Sequence, residues 1–133
     1  MPVELTRLGI ESLDADHARL VDIIAELNTL YESGGEHGEA VRLIVSLFAE
    51  SGAHFGREEE EMERTSYPLA AAHREEHGNL VEALRSIAAE FEAKRTALDG
   101  TLVQDLWEWL NHHMTSTDRA FAEYLHSLAA DRC

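Results

Sequence analysis

Cysteine is nearly absent from this 133-residue chain. The one present, Cys133, is the last residue, so no intrachain disulfide can form and nothing points to an oxidising compartment. Basic residues are scarce. Eleven Lys and Arg face 26 Asp and Glu, a formal net charge of −15, which repels a nucleic-acid backbone or an anionic membrane over most of the surface. Neither nucleic acid nor membrane is an expected partner. No apolar run approaches the ~20 residues that span a bilayer, and the opening Met-Pro-Val-Glu-Leu-Thr-Arg lacks the basic-then-apolar order of a signal peptide. The expectation is a cytoplasmic protein. No internal repeat or low-complexity stretch breaks the chain, and 44% hydrophobic residues suffice for one core, so residues 1–133 are expected to form one domain.

What the chain does have is apolar residues at helical spacing, in four blocks. The first carries His17, Leu20, Val21, Ile24, Leu27 and Tyr31, with Asp14 as N-cap and Ser33-Gly34-Gly35 as terminator. The second aligns Val41, Ile44, Val45, Phe48, Ser51, Phe55, Glu58 and Met62, with His54 flanking the stripe. Tyr67-Pro68 then breaks the chain, because proline cannot continue a helix but suits the first turn of another. The third runs His73, His77, Leu80, Val81, Leu84, Ile87 and Phe91, ending before Leu98-Asp99-Gly100. In the fourth, Thr101 and Gln104 have capping-box spacing, and Leu102, Leu106, Trp109, Leu110, His113, Thr117 and Tyr124 face inward. Helices are expected over about 14–32, 38–65, 69–97 and 101–128, after an N-terminal arm of residues 1–13. Short breaks imply antiparallel neighbours, hence an all-α, up-down-up-down four-helix bundle.

The polar residues on these stripes carry the functional signal. His17, His54, Glu58, His73, His77, His113 and Asp118 come from all four blocks, and two pairs, His54 with Glu58 and His73 with His77, have the i,i+4 spacing that puts both side chains on one helix face. One histidine on an apolar stripe is ordinarily a hydrogen-bonded core residue. Five with two carboxylates would be several buried polar groups needing partners, each costing roughly 1–3 kcal/mol if unsatisfied. Seven donors exceed what one ordinary transition metal holds, so two metals bridged by the carboxylates are expected. His37 and His126 read as surface residues, and the acidic run Glu58-Glu59-Glu60-Glu61 reads as a solvated face apart from Glu58. His113 is preferred to His112 because it lies on the apolar side. On a regular helix Asp118 would then sit about 140° away from His113, a gap that a π-type bulge between Met114 and Asp118 would close.

Four segments in order resemble those of hemerythrins, in particular single-domain bacteriohemerythrins. Asp14-x-x-His17-x-x-Leu20 is similar to the family's first-helix motif, and His54-Phe55-x-x-Glu58-Glu59-x-x-Met62 to its second. Tyr67-Pro68 with His73-x-x-x-His77, and Trp109-Leu110 through His113-Met114 to Asp118, resemble the third and fourth. The resemblance implies two non-heme irons joined by an oxide or hydroxide, one held by His73, His77 and His113 and the other by His17 and His54, with Glu58 and Asp118 bridging. It implies one open position, on the two-histidine iron, where dioxygen binds. Phe55, Trp109, Leu110 and Met114 match the family's oxygen-pocket positions. Two departures stand out: the family usually has isoleucine where Met114 stands, and bacterial members often carry a tryptophan in the arm.

The function implied is reversible dioxygen binding for storage, delivery or sensing, by a binding protein rather than an enzyme. The alternative is a di-iron oxidase or peroxidase, or a scavenger of nitric oxide or peroxide. Ferritin-like di-iron proteins use four glutamates and two histidines, whereas five neutral imidazoles and no further acid or base on the stripes favour binding. A sensor would need a separate signalling or redox partner.

Overall fold

In the computed structural model, residues 3–131 are described, so Cys133 and its reading lie outside the described residues. The helices are α1 (Glu11–Ser33), α2 (His37–Arg64), α3 (Ala70–Glu92), α4 (Gly100–His112) and α5 (Asp118–Asp131). A π-helical turn, His113–Thr117, joins α4 to α5 without a break, so the two act as one rod. α1 packs on α2, α2 on α3, and α1 also on α4, forming a four-rod antiparallel bundle. Among the described residues no helix is long and apolar enough to cross a membrane.

The helix ends follow local chemistry, with corrections to three expected boundaries. α1 begins at Glu11, not Asp14. The Asp14 carboxylate instead accepts the N–H groups of Leu8 (2.7 Å) and Gly9 (3.1 Å), tying the arm to the helix it precedes. Gly34 ends α1 in a left-handed conformation (φ 69°), as its position suggested. α3 stops at Glu92 rather than near residue 97, because Lys94 adopts φ 58° and the Lys94 and Arg95 N–H groups turn back to Phe91 and Glu90. No glycine marks that stop. At α4 the N-cap is Asp99, whose side chain accepts the Leu102 N–H at 2.7 Å, and Thr101 already lies within the helix.

Two stripes are also shifted. In α2 the buried residues are Ala40, Leu43, Ile44, Leu47, Ser51, His54, Phe55, Glu58 and Met62, so Val41, Val45 and Phe48 flank the stripe and His54 lies within it. Tyr31 is 45% exposed, because the α1 stripe ends at Leu27.

Two apolar clusters fill the bundle. The larger includes Leu20, Ile24, Leu47, Phe55, Leu84, Phe91, Leu106, Leu110 and Met114. The smaller joins Leu13, Met62, Tyr67, Phe121 and Ala122, with Leu8 and Ile10 of the arm against it. Each rod passes from one cluster to the other, and between them runs a layer of buried polar side chains: His17, His54, Glu58, His73, His77, His113 and Asp118.

Candidate metal centre

The seven residues expected to converge do so. Glu58, His73, His77, His113 and Asp118 each offer an atom within 4.8 Å of all the others, and so do His17, His54, Glu58 and Asp118. The two groups overlap only at the carboxylates. Asp118 turns Oδ1 to His73 Nε2 (2.9 Å) and His113 Nε2 (3.1 Å), and Oδ2 to His17 Nε2 (2.8 Å). Glu58 turns Oε1 to His73 Nε2 (2.6 Å) and His77 Nε2 (3.1 Å), and Oε2 to His54 Nε2 (3.2 Å). Every imidazole thus points Nε2 inward, and each carboxylate shows one oxygen to each group.

Helix geometry explains this convergence. The i,i+4 pairs on α2 and α3 need only regular helix. Asp118 needs the π turn, whose extra residue closes the angular gap: the Asp118 N–H bonds back to the His113 carbonyl, five residues earlier. Three successive hydroxyls stabilise that turn. Thr115 donates to the Asn111 carbonyl (2.7 Å) and Ser116 to the His112 carbonyl (2.5 Å), while Thr117 donates to a Glu76 carboxylate oxygen (2.7 Å).

Three carboxylates, Glu59 of the acidic run expected to face solvent and Asp16 and Glu76, to which the sequence assigned no role, hold the outer faces of the histidines. His54 Nδ1 lies 2.9 Å from Asp16, His77 Nδ1 3.3 Å from Glu59, and His113 Nδ1 2.7 Å from Glu76. With Nε2 turned to a metal, Nδ1 carries the proton and donates it, which fixes the ring and strengthens the ligand. The pattern is stepwise around the bundle. Asp16 adjoins His17 in sequence but serves α2; Glu59 adjoins Glu58 and serves α3; Glu76 adjoins His77 and serves the rod of α4 and α5. The adjacency to a ligand was a visible signal. Asp16 is itself gripped by Arg57 (2.9 and 3.1 Å) and by Arg19.

Electrostatics show how strongly the layer wants positive charge. Burial opposes a proton on His54, yet the Asp118 and Glu58 carboxylates facing its Nε2 outweigh it and push the group up to about 10. His73 rises to about 9 against the same burial, again through Asp118 and Glu58. Burial alone would raise Glu58, but the rings of His54, His73 and His77 around it bring it down to about 2, and Asp118 is likewise held well below the usual carboxylate range, by His113 and His17 first.

The donor set fits a metal on its own chemistry. His54 Nε2, Glu58 Oε2 and His113 Nε2 are buried without an aligned hydrogen bond. Buried polar atoms of this kind are costly unless something binds them. Five imidazoles with two carboxylates suit iron and similar borderline metals; the absence of thiolate from the cluster disfavours Cu(I), and the imidazoles disfavour calcium.

Residues 8–125 match the family model of the hemerythrin HHE cation-binding domain. The chain belongs to the hemerythrin family. A bacteriohemerythrin of Ralstonia nicotianae is 29% identical over 129 residues, covering 94% of this chain and 90% of that one. One of Stenotrophomonas maltophilia is 29% identical over 118 residues, covering 87% and 74%. A solved wild-type hemerythrin superposes with a TM-score of 0.80 at 24% identity, covering 86% of this chain and 87% of that one, and so shares the fold. Membership in a cation-binding family with these donors makes this an iron-binding domain.

Of the four oxygen-pocket positions expected from the hemerythrin resemblance, Phe55, Leu110 and Met114 are buried in the larger cluster. Phe55 stacks on His77 with ring centroids 4.1 Å apart, and also meets His54 and His113. Trp109 does not join them. It is 42% exposed, because the inward arc of α4 is set by Val103, Leu106 and Leu110, and the residue before Leu110 is turned about 100° away. Trp107, not Trp109, packs against the core. His112 is exposed and His113 buried, as their places on the stripe indicated. His126 is exposed and bonds the Leu8 carbonyl, whereas His37 is half-buried, stacked on Phe91 and bonded to its carbonyl.

Proposed function

We propose that this hemerythrin-family chain binds dioxygen reversibly at a pair of irons, with His73, His77 and His113 holding one, His17 and His54 the other, and Glu58 and Asp118 bridging. The observation that carries the reading is the unequal split of histidines across two shared carboxylates. Three imidazoles on one side and two on the other leave the two-histidine side with fewer protein donors, so a small exogenous ligand enters there. When bound, two ferrous irons supply the electrons that a reversible dioxygen complex requires. The protein's part is to hold and to shield. Asp16, Glu59 and Glu76 fix three of the rings, and Phe55, Leu110 and Met114 on one side with Leu13, Met62, Tyr67 and Phe121 on the other exclude the water that would drive irreversible oxidation.

Metal analysis should find two irons per chain. An optical spectrum of reduced protein, recorded before air, after air and after deoxygenation, should return to its starting form with one dioxygen taken up per pair. Rapid irreversible oxidation, or sustained consumption of an added reductant, would replace this reading with the oxidase or peroxidase one.

A further inference from the structure

The π turn is the least regular part of the bundle, and it separates two residues that must face one point. On a straight α-helix, five residues turn about 500°, leaving His113 and Asp118 about 140° apart. Widening brings both to the shared layer, with His113 Nε2 3.1 Å from Asp118 Oδ1. π turns are rare and are found frequently at functional sites. Two of the three hydroxyls in the turn act within the rod, each reaching a carbonyl one turn back. Thr117 acts across it.

Glu76, on α3, spans the turn. Its Oε1 accepts from His113 Nδ1 and its Oε2 from Thr117 Oγ1, both at 2.7 Å. His113 is the first residue of the turn and Thr117 the last. One carboxylate on a neighbouring rod therefore grips both ends of the widened segment. Asp16 and Glu59 each hold a histidine too, but neither reaches into such a turn.

We propose that Glu76 and Thr117 form a clamp that holds the π turn open and thereby sets the spacing between His113 and Asp118. Glu76 is a positioning residue on this account, and Thr117 is its second anchor. The proposal rests on the metal reading only for its effect on iron; the hold on the turn itself is read in protein without metal. Glu76 is more than a third exposed at its side chain, so its removal opens no cavity in the core.

The alternative role for Glu76 is to orient the His113 ring alone, and Thr117 separates the two. Thr117→Val keeps the shape of the side chain and leaves the Glu76 to His113 bond in place. Amide hydrogen exchange of residues 114–119 is measured on chelator-treated protein for Glu76→Ala, Thr117→Val, Thr117→Ser and the Glu76→Ala/Thr117→Val double variant, with iron release to a chelator measured on the loaded protein. The clamp requires faster exchange in both single alanine and valine variants, confined to the turn. It requires wild-type behaviour in Thr117→Ser, and a double variant no worse than Glu76→Ala. Iron release should quicken by roughly 10–100-fold in Glu76→Ala, the usual scale for losing an outer partner of a ligand, and also measurably in Thr117→Val. Wild-type exchange in Thr117→Val, or effects that simply add in the double variant, would overturn the clamp. A wild-type protein that takes up no iron would instead remove the metal reading, while the exchange data still decide the clamp.

Discussion

His77 is the residue on which the three-histidine side most visibly depends. It lies 2% exposed, bonds Glu59 through Nδ1, approaches Glu58 through Nε2 and is covered by Phe55. His77→Ala should lower iron content sharply, whereas His112→Ala should leave it unchanged, both read by metal analysis of purified protein. A His112 variant without iron would shift the register of the fourth rod by one residue. The convergence of these seven side chains was legible in the sequence, because i,i+4 spacing and membership of an apolar stripe are properties of one helix. Their outer partners were not. Asp16, Glu59 and Glu76 stand one residue off a ligand, about 100° around the helix, and look like solvent-facing acids until the neighbouring helix is in place. Trp109 failed in the same way: one residue from Leu110 is enough to carry an indole to the surface.

The helices themselves were readable from periodicity, and the π turn from arithmetic, since only a widened helix lets His113 and Asp118 face one centre. Caps were harder. Asp14, Asp99 and Thr101 are all residues that cap helices well, and the choice among them is made by which one meets a free N–H. Asp99→Ala should destabilise the protein by about 1 kcal/mol, seen as a lower urea midpoint, because the Leu102 N–H loses its acceptor. Thr101→Ala should change stability by no more than about 0.5 kcal/mol, as it removes no such bond. The early stop of α3 had no sequence signal, since a lysine takes the left-handed position that glycine usually occupies.

Across the whole bundle, the polar layer couples folding, protons and metal with opposing signs. In metal-free protein His54 and His73 titrate near 10 and 9, above an unfolded histidine, so the folded state binds more protons between the two values. Their contribution is complete below about pH 6.5 and is lost as pH rises through 9 to 10. Glu58, depressed to about 2, contributes above its ordinary value and fades as pH falls toward 2. Chelator-treated protein should therefore lose stability on the alkaline side. Metal uptake displaces those same protons and should tighten as pH rises over this range. Denaturant titrations of loaded and stripped protein at pH 6 and pH 9 should diverge, with the gap between them wider at pH 9; an equal gap at both would count against protons standing in the metal positions.

The arm has a consequence of its own. His126 of α5 donates to the Leu8 carbonyl at 2.9 Å, and Gly9, at φ 80°, lets the backbone pass so close that a Cβ there would meet the His126 ring at 3.1 Å. The start and finish of the bundle are thus neighbours, and the order in which the rods are strung is separable from the way they pack. A permuted chain, opened between Gly34 and Gly35 and closed by a short linker beside the Leu8 to His126 contact, keeps every donor inside an unbroken rod. It should fold and hold the same iron content as the natural order.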